Sequence, residues 1–248
     1  MSSTNQPILT VDKVNKTFLI PEVITNTFRE SVFSFNKQKK YREYQVLRDI
    51  SFMLNKGEFL GILGANGSGK STLLKIIAGI YGADSGSVSI NGPLVPFLEL
   101  GVGFNPELTG RENIYLNGII LGMTKKEIDK KFQAIVDFSE LKDFLDLKLK
   151  NYSSGMQVRL AFAIAIHVEA DIYILDEVLA VGDFRFQNKC LAEFKRLRQK
   201  NASVIFVSHS AELVKNICDR AIWLNNGIIA AEGNPEDVLN LYQSYKFD

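Results

Sequence analysis

The chain is 248 residues long, which suits one α/β domain with an inserted lobe better than two independent domains. Hydrophobic residues make up 46% and charged residues 23%, as in an ordinary globular protein with a substantial core. The net charge of +1 argues neither for a nucleic-acid partner nor for a membrane surface. No apolar run approaches the ~20 residues that span a bilayer, and the N-terminus lacks a signal pattern. We therefore expect a cytoplasmic chain that reaches a membrane only through a partner.

The first half of the chain predicts strands around a glycine-rich turn. Residues 8–18 alternate apolar and polar, a pattern typical of an edge strand. Residues 57–63 predict a buried strand that runs into the turn, and a helix follows in STLLKIIAGI. The stretch GADSGSVSINGP then predicts short antiparallel strands.

The composition changes between Thr109 and about Leu149, where the helical spacing of apolar residues and the many charges predict a helical lobe inserted into the sheet domain. Beyond this lobe, apolar strands alternate with helices again at 172–176, 203–208 and 221–225. This alternation of strands and helices predicts a mostly parallel sheet whose two faces are both covered.

Residues 26–48 form a basic segment, with Arg29, Lys37, Lys39, Lys40, Arg42 and Arg48 against Glu30 and Glu43. One interpretation is a solvated loop. The other is a segment that lies against an anionic partner, such as the inner membrane leaflet or a pyrophosphate group, since each positive charge near an anionic surface contributes up to ~1 kcal/mol.

The strongest motif matches G-x-x-x-x-G-K-[ST]. It comprises Gly64, Ala65, Asn66, Gly67, Ser68, Gly69, Lys70 and Ser71, with Thr72 directly after it. Glycines let backbone N–H groups turn inward around phosphate oxygens, and the following helix directs its positive dipole end at the same anion. Lys70 is expected to reach the β- and γ-phosphates, and Ser71 to coordinate Mg²⁺. The motif follows a predicted strand and opens a predicted helix, which is the context that phosphate binding requires.

Two carboxylates end the apolar strand IYIL, at the edge of the sheet where α/β proteins bind ligands. Asp176 is placed to hold Mg²⁺, and Glu177 to polarise the attacking water. With a phosphate loop upstream, this pair predicts nucleotide hydrolysis.

Between these motifs, YSSGMQ precedes a nearly all-apolar helix. The order of phosphate loop, SSGMQ, ILDE and a Ser-His pair resembles the ATPase cassette of ABC transporters, whose signature has the form LSGGQ. The resemblance implies that Ser153, Ser154, Gly155 and Gln157 bind the γ-phosphate of ATP held by the other subunit of a dimer. On its own sequence this stretch also fits a capped core helix that binds nothing.

The resemblance also assigns roles to single residues. It implies that His209 contacts the γ-phosphate, that Asp183 ends a dimer-contact loop, and that Phe18 stacks on adenine. Phe18 is equally compatible with a strand core position. His167, in the apolar helix, we interpret as a core residue.

Members of the family usually have a glutamine that senses Mg²⁺ after the strand that leads into the helical lobe. This chain has no glutamine between Gln45 and Gln133, so that residue is missing. Glu99 is the nearest candidate, since a carboxylate also accepts from a metal-bound water, and Asn105 is the alternative.

The resemblance covers nearly the whole chain and implies an α/β fold: a P-loop NTPase ABC cassette with a RecA-like mixed sheet core and an inserted helical subdomain. It places the core at 1–104 and 165–248, the helical subdomain at about 105–164 and the basic insert at about 20–46.

Three runs resemble the ATPases of polysaccharide ABC exporters, namely FLELGVGFNPELTGRENIYLNGIILGM, YSSGMQ and ILDEVLAVGD. That likeness implies a homodimeric ATPase using ATP and Mg²⁺ at the cytoplasmic face of the inner membrane. Two permease copies and a lipid-linked polysaccharide would be its partners, with no nucleic acid and no glycan-binding domain in this chain.

The exported polymer remains open between O-antigen, capsule and teichoic acid. The competing classes are an importer ATPase, a soluble ABC ATPase acting in translation or DNA repair, and a non-catalytic nucleotide switch.

Overall fold

A computed structural model describes residues 7–21, 41–97, 103–176, 184–207 and 210–245 of the chain. The described strands are β1 Pro7–Pro21, β2 Tyr41–Asn55, β3 Phe59–Leu63, β4 Ser85–Ile90, β5 Leu94–Phe97, β6 Ile172–Asp176, β7 Ser203–Val207, β8 Arg220–Asn225 and β9 Ile228–Gly233. The described helices are α1 Lys70–Ile77, α2 Gly110–Ile120, α3 Lys125–Ser139, α4 Ser154–Ile166, α5 Phe184–Gln199, α6 Ala211–Ile217 and α7 Pro235–Ser244. Within these ranges no helix combines the length and the apolar character that crossing a bilayer requires.

The N-terminal sheet is antiparallel and has the strand order β2-β1-β4. The prediction of an edge strand at residues 8–18 is therefore wrong, because β1 pairs with a neighbour on each side. Alternating apolar and polar residues indicate that one face of a strand is exposed to solvent. The alternation does not indicate whether the strand has one neighbouring strand or two. The predicted antiparallel pairing of the 82–93 stretch is confirmed by β4.

The larger sheet has the order β5-β6-β7-β3-β8-β9 and is parallel except where β9 runs against β8. Alternate side chains of β6 enter two different cores: Tyr173 and Leu175 pack with the helical lobe, α5 and α6, whereas Ile172 and Ile174 pack with α1 and the N-terminal sheet. The central strands β3, β6 and β7 are buried on both faces, as predicted, which explains why their sequences are continuous apolar runs, whereas β9 at the edge is not buried.

The helical lobe contains α2 and α3, so the helices predicted between Thr109 and Leu149 are present. Both begin with a capping box, formed by Thr109 with Glu112 and by Thr124 with Glu127. The buried helix α4 packs on α2, α3 and β5, and one apolar cluster runs from the lobe into the sheet. The division of the chain at 105–164 stays a prediction.

The basic segment lies only partly within the described residues. Residues 41–48 belong to β2, where Tyr41 pairs with Pro21 and Arg42 with Ile20, so this end of the segment is a strand and not a loop. Main-chain hydrogen bonds to β1 hold it, which explains how a strand forms from largely exposed polar side chains. The prediction for Arg29, Lys37, Lys39 and Lys40 concerns residues outside the described ranges.

Candidate nucleotide-binding site

The carboxyl ends of β3, β6 and β7 meet at one edge of the larger sheet. Val207 of β7 is in register with Asp176 on one side and with Ile62 on the other. At ~4.8 Å between neighbouring strands, the backbone of Asp176 stands ~10 Å from Ile62, two residues before the phosphate loop begins. The fold therefore places the loop and the Asp176 carboxylate on either side of the end of β7.

The loop between β3 and α1 has a backbone that requires glycine at both of its ends. Gly64 has a φ of 155°, and a β-carbon there would stand 2.3 Å from the carbonyl oxygen of Leu224. Gly69 has a φ of 105°, and a β-carbon there would stand 2.8 Å from Leu47 Cδ2. The two glycines let the loop turn tightly against β8 and β2, which leaves its tip at Asn66 and Gly67 exposed.

Lys70 lies inside this turn. Its side chain is buried, and Nζ donates to the carbonyl oxygens of Gly64, at 2.7 Å, and Ala65, at 3.0 Å. No side chain in the described part of the chain caps the N-terminus of α1, so its first-turn N–H groups face the loop. The ammonium and the helix end thus converge on one concave surface of positive potential.

The donor groups around the loop fit a triphosphate with its metal ion. Ser68 is buried, and its Oγ has no hydrogen-bond partner among the described residues. Ser71, at the start of α1, is exposed beside it, while Thr72 is half-buried. Buried hydroxyl, ammonium and backbone N–H donors form the set that phosphate oxygens accept from, and the Ser71 hydroxyl and Asp176 carboxylate are oxygen ligands of the kind that Mg²⁺ prefers.

A matched pair of substitutions, one at an end of the loop and one at its tip, tests why the packed end requires glycine. Gly64→Ala is expected to lower the free energy of unfolding by about 2–4 kcal/mol, because the new methyl group meets backbone and the φ is strained. Gly67 has a φ of 79° but open space around it, so Gly67→Ala is expected to lower the free energy of unfolding by only about 1 kcal/mol, through backbone strain. Denaturant unfolding of both variants measures the difference, and equal losses would contradict the packing argument.

The signature stretch begins α4. Ser153 caps the helix by accepting from Met156 N at 3.2 Å, as a helix N-terminus predicts. Ser154 is exposed, and a β-carbon on Gly155 would meet nothing closer than Ser153 Oγ at 3.9 Å. Gln157 Nε2 donates to the carbonyl oxygen of Tyr152 at 3.4 Å, which ties this end of α4 to the helical lobe rather than to the phosphate loop. The helix end therefore presents small residues to solvent.

Phe18 lies on β1, and its ring is half-buried. The rings of Phe18 and Tyr81 meet edge to face with 5.9 Å between their centroids, and Lys16 Nζ lies 5.5 Å from the centre of the Phe18 ring. Lys16 is paired with Leu47, the same residue that packs against Gly69. The fold thus brings Phe18 to the neighbourhood of the phosphate loop, from a position more than forty-five residues earlier in the sequence.

Asp84 is a residue of this region that the sequence patterns did not identify. Its carboxylate accepts from Lys16 Nζ at 2.7 Å and from the backbone N–H of Thr17 at 2.6 Å, and these bonds lower the pKa of Asp84. The contact fixes the segment that carries Phe18. Asp84 lies in a short loop between α1 and β4, and no local motif marks it.

The remaining predicted site residues divide into two groups. Asn105 is described: its backbone N–H donates to the buried Asn113 at 2.8 Å, and its side chain accepts from Glu107 N at 3.0 Å, so it builds the turn into α2. His167 caps the other end of α4, half-buried, and burial lowers the pKa of its imidazole. The other group lies outside the described residues and comprises Glu99, Glu177, Asp183 and His209.

Comparison with known proteins links this site to one family. The sequence profile of the family described as "ABC transporter" matches residues 47–180. The O-antigen export system ATP-binding protein RfbB of Klebsiella pneumoniae is 41% identical over 96% of this chain and 98% of its own length. ABC transporter protein AbcA of Aeromonas salmonicida is 44% identical over 96% of this chain and 76% of its own. Teichoic acids export ATP-binding protein TagH of Enterococcus faecalis is 43% identical over 84% of this chain and 46% of its own.

Solved structures share the fold. The ATP-binding subunit of an ABC transporter superposes with a TM-score of 0.76 over 95% of this chain and 93% of its own, at 23% identity. A dimeric post-hydrolysis state of the cassette MJ0796, bound to ADP and Pi, superposes with a TM-score of 0.73 over 92% and 98%, also at 23% identity. The predicted α/β cassette fold is confirmed.

Proposed function

We propose that this chain, which belongs to the ABC transporter family and is an ATPase of that family, powers the export of a lipid-linked, O-antigen-like polysaccharide. The observation that carries this proposal is the 41% identity with an O-antigen export ATP-binding protein over nearly the full length of both chains. Similarity to teichoic-acid export proteins keeps a wall polymer as the second candidate.

The residues of the site have separate tasks in hydrolysis. When bound, ATP and Mg²⁺ supply the γ-phosphoryl group and the cation that neutralises its charge. Lys70 and the N-terminus of α1 hold the β- and γ-phosphates, and Ser71 and Asp176 hold the metal ion. Glu177 follows Asp176 in the sequence, and we assign its carboxylate the task of orienting the attacking water and accepting its proton. Glu99 is the proposed replacement for the missing glutamine.

The second half of each site comes from another copy of the chain. Ser153 and Ser154 are exposed at the N-terminus of α4, a position that favours an anion, and Gln157 ties this helix end to the helical lobe. We propose that Ser153, Ser154 and Gly155 bind the γ-phosphate held by the partner subunit, with His209 and Asp183 completing the interface. ATP binding then closes a homodimer, and hydrolysis opens it.

Coupling to transport requires a membrane partner. We propose that the homodimer sits at the cytoplasmic face of the membrane against two permease subunits, and that closing and opening of the dimer moves them. An importer ATPase or a soluble ABC ATPase would fit the fold equally, so the substrate must be tested in the cell.

Deleting the gene is expected to leave the polymer, linked to undecaprenyl, inside the cell and to strip it from the surface. Surface staining and analysis of the lipid-linked pool measure the two effects. Wild-type chain should restore export and Lys70→Ala should not, since the latter lacks the phosphate-binding ammonium. Polymer that still reaches the surface, or a protein found only on ribosomes or DNA, would rule out the export function.

A further inference from the structure

The outer half of the β1–β2 ladder carries a row of large side chains on one face. Val14, Lys16 and Phe18 are alternate residues of β1, so their side chains share a face. Val14 is buried and pairs with the buried Ile50. Phe18 therefore continues, towards solvent, the face of the hairpin that packs on the core.

Tyr44 stands directly opposite Phe18 on β2. Residues paired across an antiparallel ladder share a face, with their β-carbons about 5 Å apart. Tyr44 is 48% exposed, although an aromatic ring at a strand position ordinarily gains free energy by burial. These two strands thus present two aromatic side chains on one face, and Tyr81 makes an edge-to-face contact with Phe18.

A bulge brings this aromatic pair to the phosphate loop. Lys16 pairs with Leu47 and Thr17 with Gln45, so Val46 is the extra residue on β2. The carbonyl oxygen of Val46 lies 3.0 Å from where a β-carbon of Gly69 would stand. Tyr44 precedes Val46 by two residues on the same strand, so its backbone lies ~7 Å from that of Val46. The aromatic surface therefore begins beside the first turn of α1 and leads away from it.

We propose that Tyr44 is a second base-binding residue, and that the purine base of the nucleotide held at the phosphate loop stacks on the Tyr44 and Phe18 rings together. This inference rests on the proposed function, because it extends the same nucleotide site. An aromatic surface adjoining a phosphate-binding loop matches the two chemical parts of a nucleotide, an anion and a flat ring. Stacking on rings needs no hydrogen bond to the base edge, so the surface recognises a base chiefly by its face.

Two probes and a matched control test the role of Tyr44. Calorimetry on the full-length chain measures the affinity for Mg·ATP and for magnesium tripolyphosphate, which has the phosphates but no base. Tyr44→Ala is expected to weaken ATP binding by about 5- to 30-fold, the loss of one stacking contact, and to leave tripolyphosphate binding unchanged. Tyr44→Phe should keep ATP affinity, since the ring remains.

Tyr41 supplies the control on the same strand. It is 52% exposed, but it lies three positions from Tyr44 along the strand, so its side chain is on the opposite face. Tyr41→Ala should therefore change neither affinity.

The outcomes separate this inference from the proposed function. Unchanged ATP affinity in Tyr44→Ala, alongside a loss in Phe18→Ala, would overturn the role of Tyr44 and leave nucleotide binding intact. Equal losses for ATP and tripolyphosphate in Tyr44→Ala would also overturn it, because the substitution would then act on the loop. A wild-type chain that binds neither probe would instead reject the nucleotide site itself.

Discussion

Glu177→Gln is expected to lower the rate of ATP hydrolysis by about 10²- to 10⁴-fold, the usual contribution of a general base. Glutamine keeps the size of the side chain but cannot accept the proton of the attacking water. Lys70 and the loop glycines are untouched, so ATP should still bind. Turnover is measured by phosphate release and ATP binding by calorimetry.

The same substitution should also accumulate ATP-held dimers, which size-exclusion chromatography with ATP detects. Glu169→Gln is a suitable control, because Glu169 is an exposed carboxylate paired with Lys131 at the opposite side of α4 from its N-terminus. Hydrolysis close to the wild-type rate in Glu177→Gln would remove Glu177 from this role.

Ser154→Arg is expected to lower hydrolysis by about 10²-fold or more, the scale of losing contacts that stabilise transition-state charge. The arginine has room in its own chain, since Ser154 is exposed, so the subunit should fold and bind ATP at its own loop. It obstructs the neighbouring subunit's phosphate instead. ATPase assays and calorimetry on the purified variant measure both properties.

Mixing variants tests whether the site is shared. A dimer of one Ser154→Arg chain and one Lys70→Ala chain keeps one complete site, built from the loop of the first and the signature helix of the second. Random pairing makes half of the dimers mixed, so about a quarter of the wild-type rate should return although each variant alone is inactive. Full activity of Ser154→Arg by itself would exclude the shared arrangement.

The central strands and the phosphate loop could be predicted from the sequence because their causes are local. Strands β6 and β7 are buried on both faces, so each reads as an apolar run. The loop needs glycine at fixed positions, and its carbonyl oxygens hold the lysine that the motif specifies. Short-range patterns of this kind also marked the capped start of α4.

The N-terminal hairpin could not be predicted in the same way. The outer part of β2 consists of exposed residues held by main-chain bonds to β1, and its bulge at Val46 breaks the alternation on which strand prediction depends. The support of Phe18 by Asp84 and Tyr81 is also invisible in sequence, because more than sixty residues separate the partners. Such contacts arise from the fold and leave no periodic signal.

The burial of α4 has a mechanical consequence. This helix of 13 residues is ~20 Å long, and every side chain from Leu160 to Ile166 is buried. Its last turn is fastened at both sides, since His167 Nδ1 lies 2.6 Å from the Ala163 carbonyl and Lys131 Nζ donates to the His167 carbonyl. A close-packed rod of this kind does not bend at its middle. We therefore expect a displacement of its exposed N-terminus to move its C-terminal end, which precedes the strand that ends in Asp176.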